Sequence, residues 1–314
     1  MEVISLNHPY SVEQVIDEPI ALALGYFDGV HLGHQSVLKH AKEEALHRDI
    51  PMAVMTFNQH PKIIYKGIHP DEMKYLSTLN RKLELFDSLG VDIVYVVNYT
   101  FEFGAQTPQE FVDNYIVGLN AKVVIAGFDY TYGLKKIANM NTLPDHAKGR
   151  FDVVEVSKLE MHKHKIGSTS IKEFLRQGRI EEANRELGYA YETSGVVIHG
   201  DKRGRLLGYP TANVQTSRYE LLPGIGIYAV EFYVHDQWYR GMASIGYNAT
   251  FEDVHELRCE VNIFDFDQDI YGEAVKIRWH QYLRGEEKFN SIDDLIEQLR
   301  KDEINAKEIL SSQL

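Results

Sequence analysis

The chain is almost without cysteine. Cys259 is the single cysteine among its 314 residues. A single cysteine has no partner for an intramolecular disulfide, and it has no second thiolate with which to build a metal cage. We therefore expect a protein of a reducing compartment, and we predict a cytoplasmic location.

Long apolar runs and an excess of basic residues are also lacking. No run approaches the roughly 20 apolar residues of a membrane-spanning helix, and the first residues, MEVISLNHPYS, lack a secretion-signal pattern. The formal net charge of -13 argues against general binding to nucleic acids or anionic membranes. A small anionic substrate stays compatible, because a local site can override the average charge. We predict small-molecule partners, no nucleic acid and no membrane, and we leave self-association open.

Several familiar site motifs are missing. The chain has neither a Walker A loop nor the HExxH pattern of zinc enzymes. The stretch GIGIYA (224–229) formally fits a loose dinucleotide fingerprint, but it leads into a strand rather than a helix. The HKH stretch at 162–164 lies in a lysine-rich segment that we interpret as a solvated loop.

What is present is the composition of a globular protein, 44% hydrophobic and 25% charged, at a length that suggests two domains. In the first half, near-continuous apolar strands alternate with helical patterns. Such alternation predicts a Rossmann-like α/β domain, with a mostly parallel sheet and helices on both faces. We place it at residues 1–185. The strand-like segments are IALALGYF, MAVMTFN, VDIVYVVNYT and AKVVIAGFDY.

Two helices of this half carry clear signals. One face of the first helix is apolar, and Thr107 with Glu110 three residues later forms a capping-box pattern. The apolar face comprises Val37, Leu38, Ala41 and Ala45.

The second half, residues 186–314, has a different rhythm. Strand-like segments follow one another with glycine-rich connections and no long helix between them, which predicts an antiparallel β-barrel. A final helix is expected to begin after Ser291 and to pack on the barrel through Leu295, Ile296, Leu299 and Ile304. The five segments are YETSGVVIHG, GIYAVEFYVHD, QWYRGMASIGY, LRCEVNIFDF and AVKIRWHQYL.

The stretch GYFDGVHLGHQ (25–35) raises the first functional question, because His31 and His34 stand where a strand and turn give way to a helix. A zinc site would need further ligands, and none is evident at suitable spacing. A helix N-terminus attracts anions, and Gly33 lets a phosphate approach the backbone. We therefore favour phosphate binding over a metal.

At this point the sequence resembles the prokaryotic bifunctional riboflavin kinase/FMN adenylyltransferase (FAD synthetase) family. GYFDGVHLGHQ is similar to its nucleotidyltransferase signature. Four further stretches continue the resemblance in order through the first domain: MTFNQHP, LSTLNRKLELFDSLGVD, AGFDYTYG and GSTSIKEFL.

The resemblance implies that His31 and His34 are catalytic, polarising ATP while the FMN phosphate attacks its α-phosphorus. It places His60 and Asp129 on the flavin and nucleotide side. The residues it assigns to ATP and its phosphates are Phe27, Gly29, His31, Gly33, His34, Ser168, Thr169 and Lys172.

Three positions depart from the family's usual pattern. Lys172 stands where an arginine is usual, and lysine lacks the planar fork that grips phosphate at two points. The loop LKKIANM after Gly133 keeps two lysines but lacks a glycine, and Gln59 replaces a common proline.

In the second half, GDKRGRLLGYPTANV (200–214) combines glycines, basic residues and a Pro-Thr-Ala-Asn sequence. Glycines let a backbone wrap around a phosphate, and the oxygens of Thr211 and Asn213 are of the kind that hold Mg²⁺ beside nucleotides. A tight polar hairpin would explain the glycines alone. We predict that ATP phosphates are bound by Gly200, Lys202, Gly204, Arg205 and Gly208.

This stretch resembles the flavokinase signature, with Ala249 as a departure further on. The resemblance makes Glu260 the catalytic base. Alternation along its strand favours a different interpretation, in which Cys259 and Val261 face inward and Glu260 faces solvent. Arg284 and Glu286 belong either to a flavin-side loop or to structural ion pairs beside it.

The resemblance thus implies a two-step enzyme that converts riboflavin to FMN and FMN to FAD, using ATP and Mg²⁺ in both steps. Two alternatives remain at this point. One is a riboflavin kinase with a weakened adenylyltransferase domain, and the other is a flavin-sensing regulator without turnover.

Overall fold

The structure, a computed structural model, describes residues 1–69, 72–161, 164–200, 203–247 and 257–312. It divides into two compact units, Met1–Gly167 and Ser168–Leu314. Within the described ranges, no helix is long and apolar enough to cross a membrane.

The first unit is built on a six-stranded sheet whose order is β1-β4-β3-β2-β5-β6, with every neighbouring pair parallel. The predicted parallel α/β architecture is confirmed. The strands are β1 (Glu2–Leu6), β2 (Ile20–Leu24), β3 (Met52–Phe57), β4 (Ile93–Val97), β5 (Ala121–Gly127) and β6 (Asp152–Val156), and a small antiparallel pair follows, β7 (Glu160–Met161) with β8 (His164–Lys165).

Helices cover both faces of this sheet. Side chains alternate across a strand, so Leu22 of β2 joins an aromatic cluster with Phe103 and Tyr115, while its neighbours Ala21 and Ala23 face the first helix. The helices are α1 (Leu32–Arg48), α2 (Lys62–Lys66), α3 (Leu79–Ser88), α4 (Phe101–Gly104), α5 (Pro108–Val112) and α6 (Leu143–Ala147), with a 3₁₀ turn at Val12–Gln14 and a π-helical turn at Asp113–Val117.

The helix signals of the sequence are confirmed here. The four predicted apolar residues of α1, from Val37 to Ala45, are its buried residues. At the start of α5, the Thr107 hydroxyl accepts from the Glu110 N–H (3.2 Å), and the Glu110 carboxylate accepts from the Thr107 N–H (2.8 Å).

The second unit is a closed antiparallel barrel of order β10-β13-β12-β11-β14-β9, as the sequence predicts. A sixth strand, β10, was not among the five predicted segments, because it begins within the glycine-rich stretch 200–214, whose composition is typical of a loop. The elements are α7 (Ser168–Arg176), α8 (Ile180–Leu187), β9 (Tyr191–Ile198), α9 (Arg203–Leu206), β10 (Ala212–Thr216), β11 (Gly226–Val234), β12 (Gln237–Tyr247), β13 (Leu257–Ile263), β14 (Ala274–Arg284) and α10 (Ile292–Ser311).

The helices α7 and α8 fold with the barrel, so this compact unit begins earlier than residue 186. The Asn184 side-chain amide donates to the Trp279 carbonyl (2.8 Å), and its oxygen accepts from the Tyr191 N–H (2.8 Å). A functional boundary near residue 185 stays a prediction, whereas compactness divides the chain after Gly167.

The C-terminal helix begins as predicted, because the Ser291 hydroxyl accepts from the Asp294 N–H (3.1 Å). Its predicted apolar stripe is wrong at one position. Ile304 is 49% exposed, and the face that packs on the barrel continues instead through Asp302, Ala306 and Leu310. The helical period selects these positions, and a charged residue among them was not expected from hydrophobicity alone.

Candidate active sites

The turn after β2 has an unusual backbone. Phe27, Gly29 and Val30 all have positive φ angles, of 56°, 79° and 38°. This conformation is rare for a non-glycine residue and strained for a β-branched one. The turn is held from outside, because the Asp28 carboxylate accepts from the Leu76 N–H (2.8 Å) and the Gly29 N–H donates to the Ser77 hydroxyl (2.9 Å).

The backbone of Phe27, which was predicted to contact ATP, belongs to this turn from Phe27 to His31, the histidine turn, but its side chain is buried in the core. Its ring is 2% exposed and packs edge-on against His34 and Phe86. A β-carbon added at Gly25 would lie 2.8 Å from this ring. Phe27 therefore supports the histidine turn through packing.

The turn leads directly into α1, with His31 as the N-cap residue. The two imidazoles stack, with centroids 3.6 Å apart and planes inclined by 16°. A β-carbon at Gly33 would lie 3.2 Å from the His31 ring, a contact tighter than side chains normally make. Glycine at this position thus makes room for the stacked pair.

Burial keeps both imidazoles uncharged at neutral pH. It lowers the pKa of His31 from its ordinary 6.5 to about 4, and it holds the pKa of His34 well below its ordinary value, helped by the neighbouring His31. The His31 Nδ1 accepts from the His34 N–H (3.3 Å), so its proton is on Nε2. In the part of the chain that the structure describes, the buried Nδ1 of His34 has no hydrogen-bond partner.

The histidine pair lies where the order of the sheet reverses. From β2 the chain moves to β3 and β4 on one side, and β5 then returns to the other side of β2. In open parallel sheets, ligands bind outside the carboxyl ends of the strands at such a point. Asp129 follows β5 at the same edge of the sheet, so the structure brings it near His31. Its negative charge offsets a small part of the lowering of the His31 pKa that burial causes.

Asp129 has a partner that the sequence did not single out. The Lys165 ammonium forms an ion pair with its carboxylate and lies 4.8 Å from the Phe128 ring centroid. Lys165 also lowers the pKa of His31, which places this cation within electrostatic reach of the histidines. Lys165 directly follows the HKH stretch at 162–164, whose lysine-rich surroundings predict only a solvated loop.

His60 follows β3. Its ring packs against Tyr26 (4.8 Å between centroids), and its Nδ1 accepts from the Lys62 N–H (3.1 Å). The adjacent Gln59 donates to the Tyr99 carbonyl (2.7 Å), so this departure from the family pattern makes a structural contact.

The predicted phosphate motif of α7 belongs to the second compact unit. Ser168 is the first residue of this helix and is half-buried, as is Lys172, whereas Thr169 is exposed.

In the barrel, five of the predicted kinase residues line one cavity of about 340 Å³, whereas Gly200, Arg205, Gly208 and Asn213 are not among its lining residues. Residues far apart in the sequence come together here, including Gly204, Thr211, Glu260, Arg284 and Glu286. The clustering arises because β10 pairs with β13, which sets Asn213 opposite Glu260 in the register.

Glu260 is held at the cavity by Thr211, whose hydroxyl donates to its carboxylate (3.0 Å). Cys259 and Val261 are buried on the other face of β13, as strand alternation suggests. The face that carries Glu260 is nevertheless covered by Phe289, Leu295 and Leu299. Strand alternation therefore predicted the face of β13 on which Glu260 lies. It did not predict that other side chains enclose a cavity on that face.

The glycines of the 200–214 stretch are required by close contacts. A β-carbon at Gly200 would lie 2.1 Å from the Asn213 amide, and one at Gly204 would lie 2.2 Å from the Tyr209 carbonyl oxygen. Gly208 has a φ of 80°, which favours glycine. The predicted Lys202 and the departure Ala249 lie outside the described residues.

Arg205 lines a second cavity of about 350 Å³, together with Asp267, Asp269 and Tyr271. Thr211 lines this cavity as well as the first one. Thr211 therefore lies at the boundary between the two cavities.

The oxygens of Thr211 and Asn213 fit a role in holding Mg²⁺. Positions two apart in an extended segment face the same side, and Gly200 leaves space against the Asn213 side chain that a β-carbon would fill. Hydroxyl and amide oxygens complete a magnesium shell when nucleotide phosphates supply the rest.

Arg284 is engaged in a buried ion pair. Its guanidinium donates to the Asp302 carboxylate of α10 at 2.7 to 3.1 Å, and Asp302 is 1% exposed. Glu286 lies against Gly246, where a β-carbon would come within 2.1 Å of its carboxylate. Sequence reasoning missed Asp302 and also Asn262, which lines the cavity and donates to the Pro210 carbonyl (2.7 Å).

Comparison with known proteins gives two family matches, one after the other along the chain. The family model described as FAD synthetase matches residues 13–170, and the one described as riboflavin kinase matches residues 187–310.

Whole-length relatives carry both names. The bifunctional riboflavin kinase/FMN adenylyltransferase of Listeria monocytogenes is 48% identical, over 96% of this chain and 96% of its own length. The Bacillus subtilis protein of the same name is 41% identical, over 98% and 97%. A solved structure described as the macrolide-efflux protein of Streptococcus pneumoniae is 37% identical and superposes with a TM-score of 0.88, over 97% of this chain and 99% of its own. This chain belongs to the bifunctional riboflavin kinase/FMN adenylyltransferase family.

Proposed function

We propose that the second unit phosphorylates riboflavin to FMN and that the first unit transfers an adenylyl group from ATP to FMN, giving FAD and pyrophosphate. One observation carries this proposal. Each family match coincides with a site of the required chemistry, the stacked histidines at a helix N-terminus in one unit and Glu260 with Thr211 in the other.

For the kinase step, Glu260 is the base that accepts the proton of the 5′-hydroxyl of riboflavin. The hydroxyl oxygen then attacks the γ-phosphorus of ATP, and ADP leaves. The flavin occupies the cavity beside Glu260 and Glu286, and the nucleotide occupies the one beside Arg205. When bound through Thr211 and Asn213, Mg²⁺ would neutralise charge on the nucleotide phosphates.

For the adenylyl step, an FMN phosphate oxygen attacks the α-phosphorus of ATP, and the bond to pyrophosphate breaks. Negative charge develops on the departing oxygen. The Nε2–H of His31 can donate to this charge without changing its own charge state, because burial keeps the imidazole neutral. His60 and Asp129 are the further binding residues that the first unit itself supplies in this proposal. Ser168, Thr169 and Lys172 stay predicted phosphate-binding residues, and Lys172 offers a point charge where the family usually has the planar fork of an arginine.

The test is a pair of separate assays on the purified chain with Mg²⁺ and ATP, one starting from riboflavin and one from FMN. Glu260→Gln should abolish FMN formation and leave adenylylation of added FMN unchanged. The double change His31→Ala with His34→Ala should do the converse.

Two matched controls exist in the chain. Glu231→Gln changes a barrel carboxylate that pairs with His280 (2.9 Å) away from the cavity. His40→Ala changes a histidine of α1 that contacts the Ser36 carbonyl (2.7 Å). Both controls should keep both activities.

Each alternative has its own outcome. FMN formation without FAD formation would leave a riboflavin kinase alone, and flavin binding without either product would leave a sensor. The cytoplasmic location is part of the proposal, and cell fractionation tests it.

A further inference from the structure

The first unit contains a buried lysine that contacts Tyr26, the residue before the histidine turn. Lys82, in the first turn of α3, is 2% exposed, although lysine is almost never fully buried without partners. Burial lowers its pKa from 10.5 to about 8, while Asp28 raises it.

Its ammonium group has three uncharged acceptors. It donates to the Tyr26 carbonyl (3.1 Å), the Thr56 hydroxyl (3.3 Å) and the Phe57 carbonyl (3.4 Å). An ammonium group has three N–H donors, so this set satisfies them. The Thr56 hydroxyl in turn donates to the Tyr26 carbonyl (3.0 Å).

These contacts join two strands where their ladder ends. The last pair in the register of β2 and β3 is Leu24 with Met55, and Tyr26 lies beyond it. Tyr26 is the residue before the strained turn that leads to His31. The ammonium group therefore fixes the starting point of the turn.

The positive charge also acts on the site. No carboxylate is among the three acceptors, so the charge is not neutralised by a direct contact. It lies 4.2 Å from the Tyr26 ring centroid, and it is one of the charges that lower the pKa of His34. A positive charge that acts on His34 also favours the binding of an anion at the same site.

We propose that Lys82 is a positioning residue for adenylyl transfer, which anchors the histidine turn at Tyr26 and supplies a buried positive charge beside that turn. It acts through the turn and does not touch the substrate. This inference rests on the proposed adenylyltransferase function of the first unit.

The experiment compares Lys82→Met with Lys82→Arg and with the control Lys42→Met. Lys42 also donates to a backbone carbonyl, that of Gly90 (2.8 Å), but it lies on an exposed part of α1. FAD formation from FMN and riboflavin phosphorylation are measured in the same preparations.

We expect Lys82→Met to lower kcat for FAD formation at least about tenfold and to change KM for ATP less than about threefold, because a misplaced turn loses contacts made in the transition state. Lys82→Arg should recover part of kcat, because it restores the charge. Lys42→Met should keep kcat, and riboflavin phosphorylation should be unchanged throughout.

Thr56→Val keeps the charge of Lys82 and removes one of its three acceptors. It therefore tests the anchoring role of Lys82 if Lys82→Met does not fold. Its kcat should fall severalfold. An unchanged kcat in folded Lys82→Met, or in Thr56→Val where the former does not fold, would overturn the role of Lys82. If the unaltered chain makes no FAD, the proposed function itself fails.

Discussion

At the scale of single residues, the state of the histidine pair follows from burial. An imidazole that is neutral when folded and titrates normally when unfolded makes stability depend on pH. Between the two pKa values, the unfolded state binds more protons, so stability falls as the pH falls. For His31 this range runs from 6.5 down to about 4.

His31→Asn should reduce this sensitivity to acid. Asparagine can cap α1 but does not titrate, so the loss of unfolding free energy from about pH 7.5 to about pH 5 should shrink by roughly 2 kcal/mol. Urea unfolding at the two pH values measures the loss, and His40→Ala should retain the full loss. Equal losses in His31→Asn and the unaltered chain would show that His31 does not titrate as described.

Gly33→Ala tests the space that the stacked pair needs. Alanine is the better helix former by up to about 1 kcal/mol, so α1 should not be weakened by its backbone preference. The added carbon would displace the His31 ring, 3.2 Å away, and we expect FAD formation to fall at least about tenfold. Riboflavin phosphorylation in the same sample is the control, and undiminished FAD formation would show that the ring tolerates the shift.

Residue patterns predicted His31 at a strand end, where ligands bind to a parallel sheet, and the family resemblance added Asp129. They did not give Lys165, Lys82 or Asp302. The position of each of these depends on a partner distant in the sequence, so nothing local distinguishes them from solvated charges.

At the scale of elements, α10 is fixed to the barrel by a charged pair as well as by apolar contacts. Breaking such a pair on one side leaves the other charge buried and uncompensated. Arg284 is the remaining charge in this case, and it also lines the cavity proposed for the flavin.

Asp302→Asn should therefore destabilise the barrel by about 3–5 kcal/mol and raise KM for riboflavin. Combining Asp302→Leu with Arg284→Met should restore most of the stability but not the KM. Thermal melting and steady-state kinetics measure the two effects. Glu297→Gln, which changes an exposed pair on the same helix, is the control and should leave melting unchanged.

The element that sequence patterns missed is β10. Its five residues, ANVQT, follow a proline and a run of turn formers, so loop signals dominate the stretch. Only pairing with β9 and β13 makes it a strand. Packing against the barrel likewise decided which face of α10 is buried. Ile304, predicted to lie on that face, is exposed instead.

At the scale of the whole molecule, the helix pair α7–α8 belongs with the barrel. Helix α8 contacts β9 and β14 of the barrel, α7 packs on α8, and the two hydrogen bonds of the Asn184 side chain are made within the second unit. The buried residues include Ile171, Leu175, Ile180, Ala183 and Leu187.

A fragment of residues 168–314 should therefore melt at a higher temperature than a fragment of residues 186–314, and both should phosphorylate riboflavin. Differential scanning calorimetry and the kinase assay measure these properties. Equal melting temperatures would show that the helix pair adds nothing to the barrel.

Thr211 forms the boundary between the two cavities of the barrel, and this has a consequence for changing the enzyme. Among the described residues that line them, Met242, Leu295 and Leu299 line only the cavity beside Glu260. Substitutions at these positions can reshape the cavity proposed for the acceptor while the cavity proposed for the nucleotide stays intact. New acceptor alcohols can thus be sought by engineering one wall of the barrel, with the same phosphate donor throughout.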